Sequence, residues 1–429
     1  MTDVQPASPE PGATGEPAGR PVPRRRRRRL RRVVAGLGVL VLIAIGGGAV
    51  FLNSAPFGAS PSGERQARIE RSLHWHDDGF VNARPQWLDS WSANTEAVFG
   101  GEDFATPDPD IEVAPTDTAV LAAAPVDGLR ITWFGHSSTL VEVDGARILL
   151  DPLWSEYAGP TSLFGADRFF AAPAALDALG PIDAVLISHD HWDHLDQKTI
   201  TAMRDWDGTT FVVPLGIGAD LERWGIPADR IRELDWWEST TVASVELVAT
   251  PSRHTSGRNP LVSEKTLWAG WAVRGPAHRV WYSGDSAFFP EIAEIGTRLG
   301  PFDVTLLDTG EYDPNWPDTH FGPELAVEVN ELVGGRLLIP VHWGLLSLAP
   351  HNWTEPVERV RAESGCRDQP MLVLVPGVPT EPTAEAVAVQ QQWWPSLPWR
   401  TAAEVPIHPT ERGDPDDRMD IPSCVPGGR

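Results

Sequence analysis

Six consecutive residues, His189-Asp190-His191-Trp192-Asp193-His194, place three imidazoles and two carboxylates in one short stretch beside the intervening Trp192. Such a set is costly to pack as apolar core, and nothing about a plain surface loop would require that order of types. Neutral imidazole together with carboxylate is the donor set a borderline divalent cation takes, so the stretch reads as a metal site.

The residues before it read as a buried strand. Ile182 to Ser188 is short, apolar, rich in branched residues and entered through Gly180-Pro181. The cluster therefore sits at a strand end. Three later apolar runs deliver one ligand-type side chain each in the same way: Val245 to Thr250 leads to His254, Val280 to Ser283 to Asp285, and Leu337 to Val341 to His342. Irregular backbone at a sheet mouth can aim a side chain without disturbing the ladder. A single such histidine is unremarkable, but the four groups together supply enough ligands for two metal ions. Other strands are expected at Leu129 to Phe134, Ser138 to Val143, Arg147 to Leu150, Phe211 to Val213, Val304 to Leu307 and Met371 to Val375. Helices are expected at Glu324 to Val333 and Pro356 to Glu363.

The order HxHxDH, His, Asp, His resembles the metallo-β-lactamase superfamily. Trp133-Phe-Gly-His-Ser-Ser138, Leu150-Asp-Pro-Leu153, Thr266-Leu-Trp-Ala-Gly-Trp271, Tyr282-Ser-Gly-Asp285, His320-Phe-Gly-Pro-Glu324 and Pro340-Val-His-Trp-Gly344 resemble its branch of N-acyl-phosphatidylethanolamine-hydrolysing phospholipases D. The match covers roughly Asp78 to Pro356, with Asp78-Gly-Phe-Val-Asn82 an early, weaker part of it. The resemblance implies an α/β fold, an αββα sandwich of two mixed sheets flanked by helices, with two Zn2+ ions at the sheet edges. It implies that His189, His191 and His254 bind one zinc, that Asp193, His194 and His342 bind the other, and that Asp285 bridges. Asp151 falls where the superfamily has a carboxylate that orients a ligand histidine, and it reads equally well as a turn residue before Pro152. His136, in the Gly-His-Ser turn, is expected to be a structural histidine supporting the site. His320 stands where the branch stabilises the phosphate or protonates the leaving alkoxide. The stretch Trp316-Pro-Asp-Thr-His320 is shorter than its counterpart in the phospholipases and looks closer to bacterial members of the branch. Asp at position 285, where antibiotic-hydrolysing relatives place Cys, disfavours that activity.

Composition narrows the partners. The chain has 429 residues and a net charge of −24, although nine of its 35 basic residues fall in the first 32 positions, so the remainder is more acidic still. Such a body disfavours nucleic acid. Residues 1–32 form a basic tail expected to be disordered up to Pro23, followed by an uncharged stretch, Val33 to Leu52, of the ~20 residues a spanning helix needs. It reads as a signal anchor, with a cleaved signal peptide as the other reading. The Arg run before it would leave everything after Leu52 outside the cytoplasm. Residues 53–124 are expected to be linker, including Gly58 to Gly63, and a wrapping segment with Trp75, Phe80, Trp87, Trp91 and Phe99. The catalytic domain is expected over 125–380, and a Pro- and Trp-rich extension, loose from Glu411, over 381–429. Most of the 19 Trp are expected in the core, some at a groove or a membrane. Cys366 and Cys424 are either a disulfide or two free thiols, and neither is a zinc ligand.

These readings converge on a membrane-anchored, binuclear zinc hydrolase of phosphodiesters, with a phospholipid or N-acyl phospholipid as substrate. Two ions about 3.5–4 Å apart acidify a shared water and clamp both oxygens of an in-line displacement. A lactonase or carboxylic-ester hydrolase of the same fold is the alternative, because the same chemistry attacks acyl carbon. A non-catalytic envelope binding protein is the third reading. It would be expected to lose ligands, and all seven are present.

Overall fold

Short branched and aromatic runs between Gly, Pro and Asp turns become strands in the computed structural model, which describes residues 1–2, 24–89, 92, 103–108, 110–420 and 423–424, with backbone only at 24–33, 36 and 39. Two six-stranded sheets form. The first contains β1 (Leu129–Trp133), β2 (Thr139–Val143), β3 (Ala146–Leu150), β4 (Ala184–Leu186), β5 (Thr210–Pro214) and β6 (Ile231–Leu234) in spatial order 6-5-4-3-2-1. The second contains β7 (Ser239–Val242), β8 (Val245–Thr250), β9 (Gly270–Arg274), β10 (Arg279–Tyr282), β11 (Val304–Asp308) and β12 (Leu338–Val341) in sequence order. In each sheet the early strands pair antiparallel, joined by tight turns except for the long β8–β9 connection that carries His254. The later ones, reached through longer crossovers, pair parallel.

Period-two alternation divides the core. Ala184 and Leu186 of β4 and Val212 of β5 face the second sheet, while Val185, Phe211 and Val213 face outward onto the helices Gln197–Ala202 and Gly218–Arg223 through Ile200 and Leu221. The helices Ala293–Leu299, Pro323–Val333 and Glu355–Cys366 cover the other sheet with Ile295, Val329 and Val360. The result is the expected αββα sandwich. Among the described residues nine Trp side chains are buried, about half of the 19 rather than most, among them Trp271, whose indole crosses between the sheets to donate to Ile187 O at 3.0 Å.

The chain divides into two units, Met1–Ser54 and Ala55–Arg429. The first holds the helix Arg24–Leu52. The span expected over Val33 to Leu52 is not supported, since among the described residues no helix is long and apolar enough to cross a membrane. The tail over 3–23 and the residues Trp91 and Phe99 lie outside the described residues.

In the second unit the expected Gly58–Gly63 linker is tied down. Ala59 N donates to Asp220 Oδ1 at 2.6 Å, and a Cβ on Gly58, at φ 71°, would overlap that carboxylate. Arg65 then pairs with Glu233 at 2.7 Å. The described part of the stretch from Glu411, up to Asp420, is not loose either: Glu411 N donates to Asp417 O, and Met419 N to Pro409 O at 2.7 Å. Cys366 and Cys424 are disulfide-bonded, with Cα atoms 6.0 Å apart. The expected strand Met371 to Val375 does not form. Leu338 N donates to Pro370 O and Leu372 N to Leu338 O, but the next residue of β12 facing this edge, Pro340, has no N–H to continue the ladder. The polar strands β6 and β7 were not expected, because half-exposed edge strands such as Ser239-Thr-Thr-Val242 carry little apolar signal.

Removing the indole that joins the sheets, Trp271→Ala, should cost about 3–5 kcal/mol. Chemical denaturation should show this as a lower midpoint at unchanged slope, and a loss under 1 kcal/mol would refute the dependence of sheet packing on this residue.

Candidate metal centre

Every sequence-selected site residue but His320, which lies on the long loop after β11, follows the C-terminal end of a strand, at one shared edge of the two sheets. His136 follows β1, Asp151 β3, His189 to His194 β4, His254 β8, Asp285 β10 and His342 β12. Several hold left-handed backbone to aim inward, His136 at φ 50°, Asp151 at 37° and His342 at 64°. At Gly284, φ 58°, a Cβ would come within 2.8 Å of Ser188 Cβ, so the turn before Asp285 needs glycine.

His189, His191 and His254 converge. His191 Nδ1 lies 2.8 Å from His189 Nε2 and 3.2 Å from His254 Nε2. Each of the last two rings is oriented from behind: His189 Nδ1 donates to Ser188 Oγ at 2.9 Å and His254 Nδ1 to Thr319 O at 2.9 Å. Both Nε2 atoms are thereby left as acceptors. Burial keeps these rings neutral, lowering His254 to about 3 and His189 well below its ordinary value.

Asp193, His194 and His342 form the second set. Asp193 Oδ2 lies 3.1 Å from His194 Nε2 and 3.4 Å from His342 Nε2. Asp285 stands between the sets, with Oδ2 3.1 Å from His194 Nε2 and His342 Nε2 and 3.7 Å from His189 Nε2 and His254 Nε2. Asp285 Oδ1 is buried without any hydrogen-bond partner, a state that a coordinated cation relieves. Burial opposes charge on His194 and His342, but the carboxylate of Asp285, with Asp193 for the first and Asp308 for the second, outweighs it and holds both protonated, well above the usual imidazole range. Desolvation likewise opposes ionised Asp285, yet His194 and His342 hold it well below the usual carboxylate range. Donor types, convergence and the orphaned oxygen all fit a metal.

The supporting groups are more numerous than the sequence suggested. Asp151, fully buried, accepts from Ser188 N at 2.7 Å, His194 Nδ1 at 2.7 Å and Tyr282 OH at 2.5 Å, so it orients His194 rather than merely starting a turn. His136, expected as a structural histidine, reaches the centre itself. Its Nε2 donates to Asp193 Oδ2 at 2.7 Å, and burial lowers it to about 4. Asp308 was missed because it lies one residue beyond the apolar run read as β11. It accepts from His320 Nδ1 at 2.8 Å and faces His342 Nδ1 at 3.3 Å. Asn82 exchanges hydrogen bonds with the His254 backbone at 2.7 and 3.0 Å, which explains the weak match at Asp78 to Asn82. Arg258, stacked 4.0 Å over Trp192, donates to Asp190 O and Leu195 O and so ties the His254 loop to the His189 cluster. Next to His254, buried Arg253 pairs with Asp318 at 2.9 Å. Asp318 also accepts from Trp87 N at 2.8 Å and Thr410 N at 2.8 Å, which fixes the loop carrying His320.

A cavity of about 360 Å³ opens onto His191, His254, Asp285, His320 and His342, with Trp87, Leu88, Trp316 and Leu348 as its apolar part. His320 Nε2 has no protein partner among the described residues. Glu311, also on this wall, is pushed by burial up to about 8.

Residues 146–343 match the family described as "Beta-lactamase superfamily domain". An uncharacterized protein of Mycobacterium tuberculosis is 40% identical over 86% of this chain and 99% of its own length. The N-acyl-phosphatidylethanolamine-hydrolyzing phospholipase D 1 of Caenorhabditis elegans is 33% identical over 56% of this chain and 71% of its own. A metal-dependent hydrolase of Pyrobaculum aerophilum is 27% identical over 58% of this chain and 98% of its own.

Because ligation replaces the protons on His194 and His342, metal uptake by the chelator-stripped protein should release protons and tighten as pH rises from about 5.5 to 8. Calorimetry in buffers of different ionisation enthalpy measures this, and pH-independent uptake would exclude the two histidines as ligands.

Proposed function

We propose, from the premise that the chain belongs to the metallo-β-lactamase superfamily and is a metal-dependent hydrolase, that it uses two zinc ions to cleave a phosphodiester in an N-acyl phosphatidylethanolamine-like phospholipid. The observation that carries the two-ion reading is the position of Asp285 Oδ2, 3.1–3.7 Å from imidazole nitrogens of both histidine sets. The printed name of the worm relative supports the lipid substrate.

Two divalent ions held by His189, His191, His254, Asp285, Asp193, His194 and His342 would supply a water acidified to near neutrality and positive charge for the phosphate. The remaining work falls to the chain's own groups. Asp193, held by His136, faces the cavity and accepts a proton from the attacking water; Asp285 keeps the two sets in register. His320, with Nδ1 held by Asp308, offers Nε2 to protonate the departing alkoxide. Trp87, Leu88 and Leu348 supply apolar surface for the lipid's chains.

The place of the protein is proposed to be the outer side of the cell membrane, from the Arg run and apolar stretch up to Leu52. The disulfide Cys366–Cys424 supports an oxidising compartment.

Asp285→Ala and His191→Ala should lose bound zinc and all turnover of phospholipids, while His320→Ala should keep its zinc and lose ~10²–10⁴-fold in kcat. Metal analysis beside product mass spectrometry on phospholipids, cyclic phosphodiesters and lactones decides it; cleavage of lactones alone would refute the phosphodiester reading. A periplasm-type reporter fused after Glu64 should be active only outside the cytoplasm, and cytoplasmic activity would overturn the location.

A further inference from the structure

We infer that Glu311 determines head-group specificity: one of its carboxylate oxygens accepts a hydrogen bond from an N–H on the group that leaves with the phosphodiester oxygen. This rests on the phosphodiester reading of the site.

Glu311 is 3% exposed, yet it lines the cavity together with His191, His254, Asp285, His320 and His342. Its main chain is fixed from both sides. The N–H donates to His351 Nε2 at 2.9 Å, and the carbonyl accepts from Trp316 Nε1 at 3.0 Å. Its backbone is left-handed at φ 54°, and it follows Gly310, where a Cβ would overlap the carbonyl of His342. Close approach of these two chain segments sets the carboxyl beside the metal-binding strand end.

One oxygen, Oε2, accepts from Leu348 N at 2.8 Å. The backbone N–H of Ala349 also approaches the carboxyl and the His342 imidazole acts on its charge, but Oε1 takes no side-chain hydrogen bond and no Lys or Arg lies within ion-pair distance among the described residues. Glu311 also belongs to none of the clusters able to hold a metal. A carboxyl buried in the cavity wall with no cation at ion-pair distance gains from a ligand that brings it a donor. The ligand that does so brings an N–H: a primary ammonium, which adds charge, or an amide, which adds the hydrogen bond alone. A quaternary ammonium brings neither donor and is bulkier.

The test is calorimetric binding of ethanolamine phosphate, N-acetylethanolamine phosphate and choline phosphate to the zinc-loaded full chain in detergent. The wild type should bind the two N–H-bearing probes about tenfold or more tighter than choline phosphate. Glu311→Ala should abolish that gap without changing choline phosphate affinity or zinc content. Glu311→Gln, whose single acceptor oxygen is taken by Leu348 N and whose NH2 then faces the probe, should lose the gap for both N–H-bearing probes while keeping its zinc. No gap in the wild type, or an equal loss for all three probes in Glu311→Ala, would overturn the inference. Parallel turnover of the matching phospholipids separates the two claims. Selective binding without phosphodiester cleavage leaves Glu311 standing and removes the proposed reaction, whereas cleavage without selectivity removes the Glu311 role alone.

Discussion

The interaction on which the site depends is the set of contacts around Asp285 Oδ2. A carboxylate oxygen enclosed by imidazoles from three different strand ends is tolerable in a buried place only if opposite charge stays close. The metal-free protein supplies that charge with protons on His194 and His342, and a cation would supply it in their place. The left-handed turns at His136, Asp151 and His342 and the glycine at 284 are local costs that this convergence imposes.

The residues that converge on the candidate metal centre were legible in the sequence because each has a type fit for ligation and follows an apolar run. The αββα layering was legible for the same reason: central strands such as β4 and β5 are buried on both faces and read as continuous apolar runs. What stayed hidden were contacts made by ordinary residue types far apart in the chain. Asp308 looks like any turn carboxylate, and Arg253 and Asp318 are separated by more than sixty positions. Glu311 has no local pattern at all. Its significance comes from which oxygen the Leu348 N–H occupies and which it leaves open. Edge strands β6 and β7 were missed because their pairing partners supply the apolar signal that their own residues lack.

His136 shows a residue whose supporting role was legible from the Gly-His-Ser turn while its partner was not. The positive φ turns the ring toward Asp193, and burial keeps it neutral with Nε2 as donor. Asp193 is thus held by a group outside both histidine sets, which fixes its carboxylate before any cation arrives.

The Arg253–Asp318 pair carries a consequence for the order in which the protein matures. Asp318 receives hydrogen bonds from Trp87 and Thr410, and Arg253 donates to Pro85 O and Thr410 O. A growing chain could therefore form both sheets and present all its histidines while the loop bearing Thr319 and His320 still lacked its fastening. Completion of the catalytic wall waits on residues translated some ninety positions after Asp318. The C-terminal segment acts as a late latch, so that a nascent or truncated chain would hold its ligands without the geometry needed to use them.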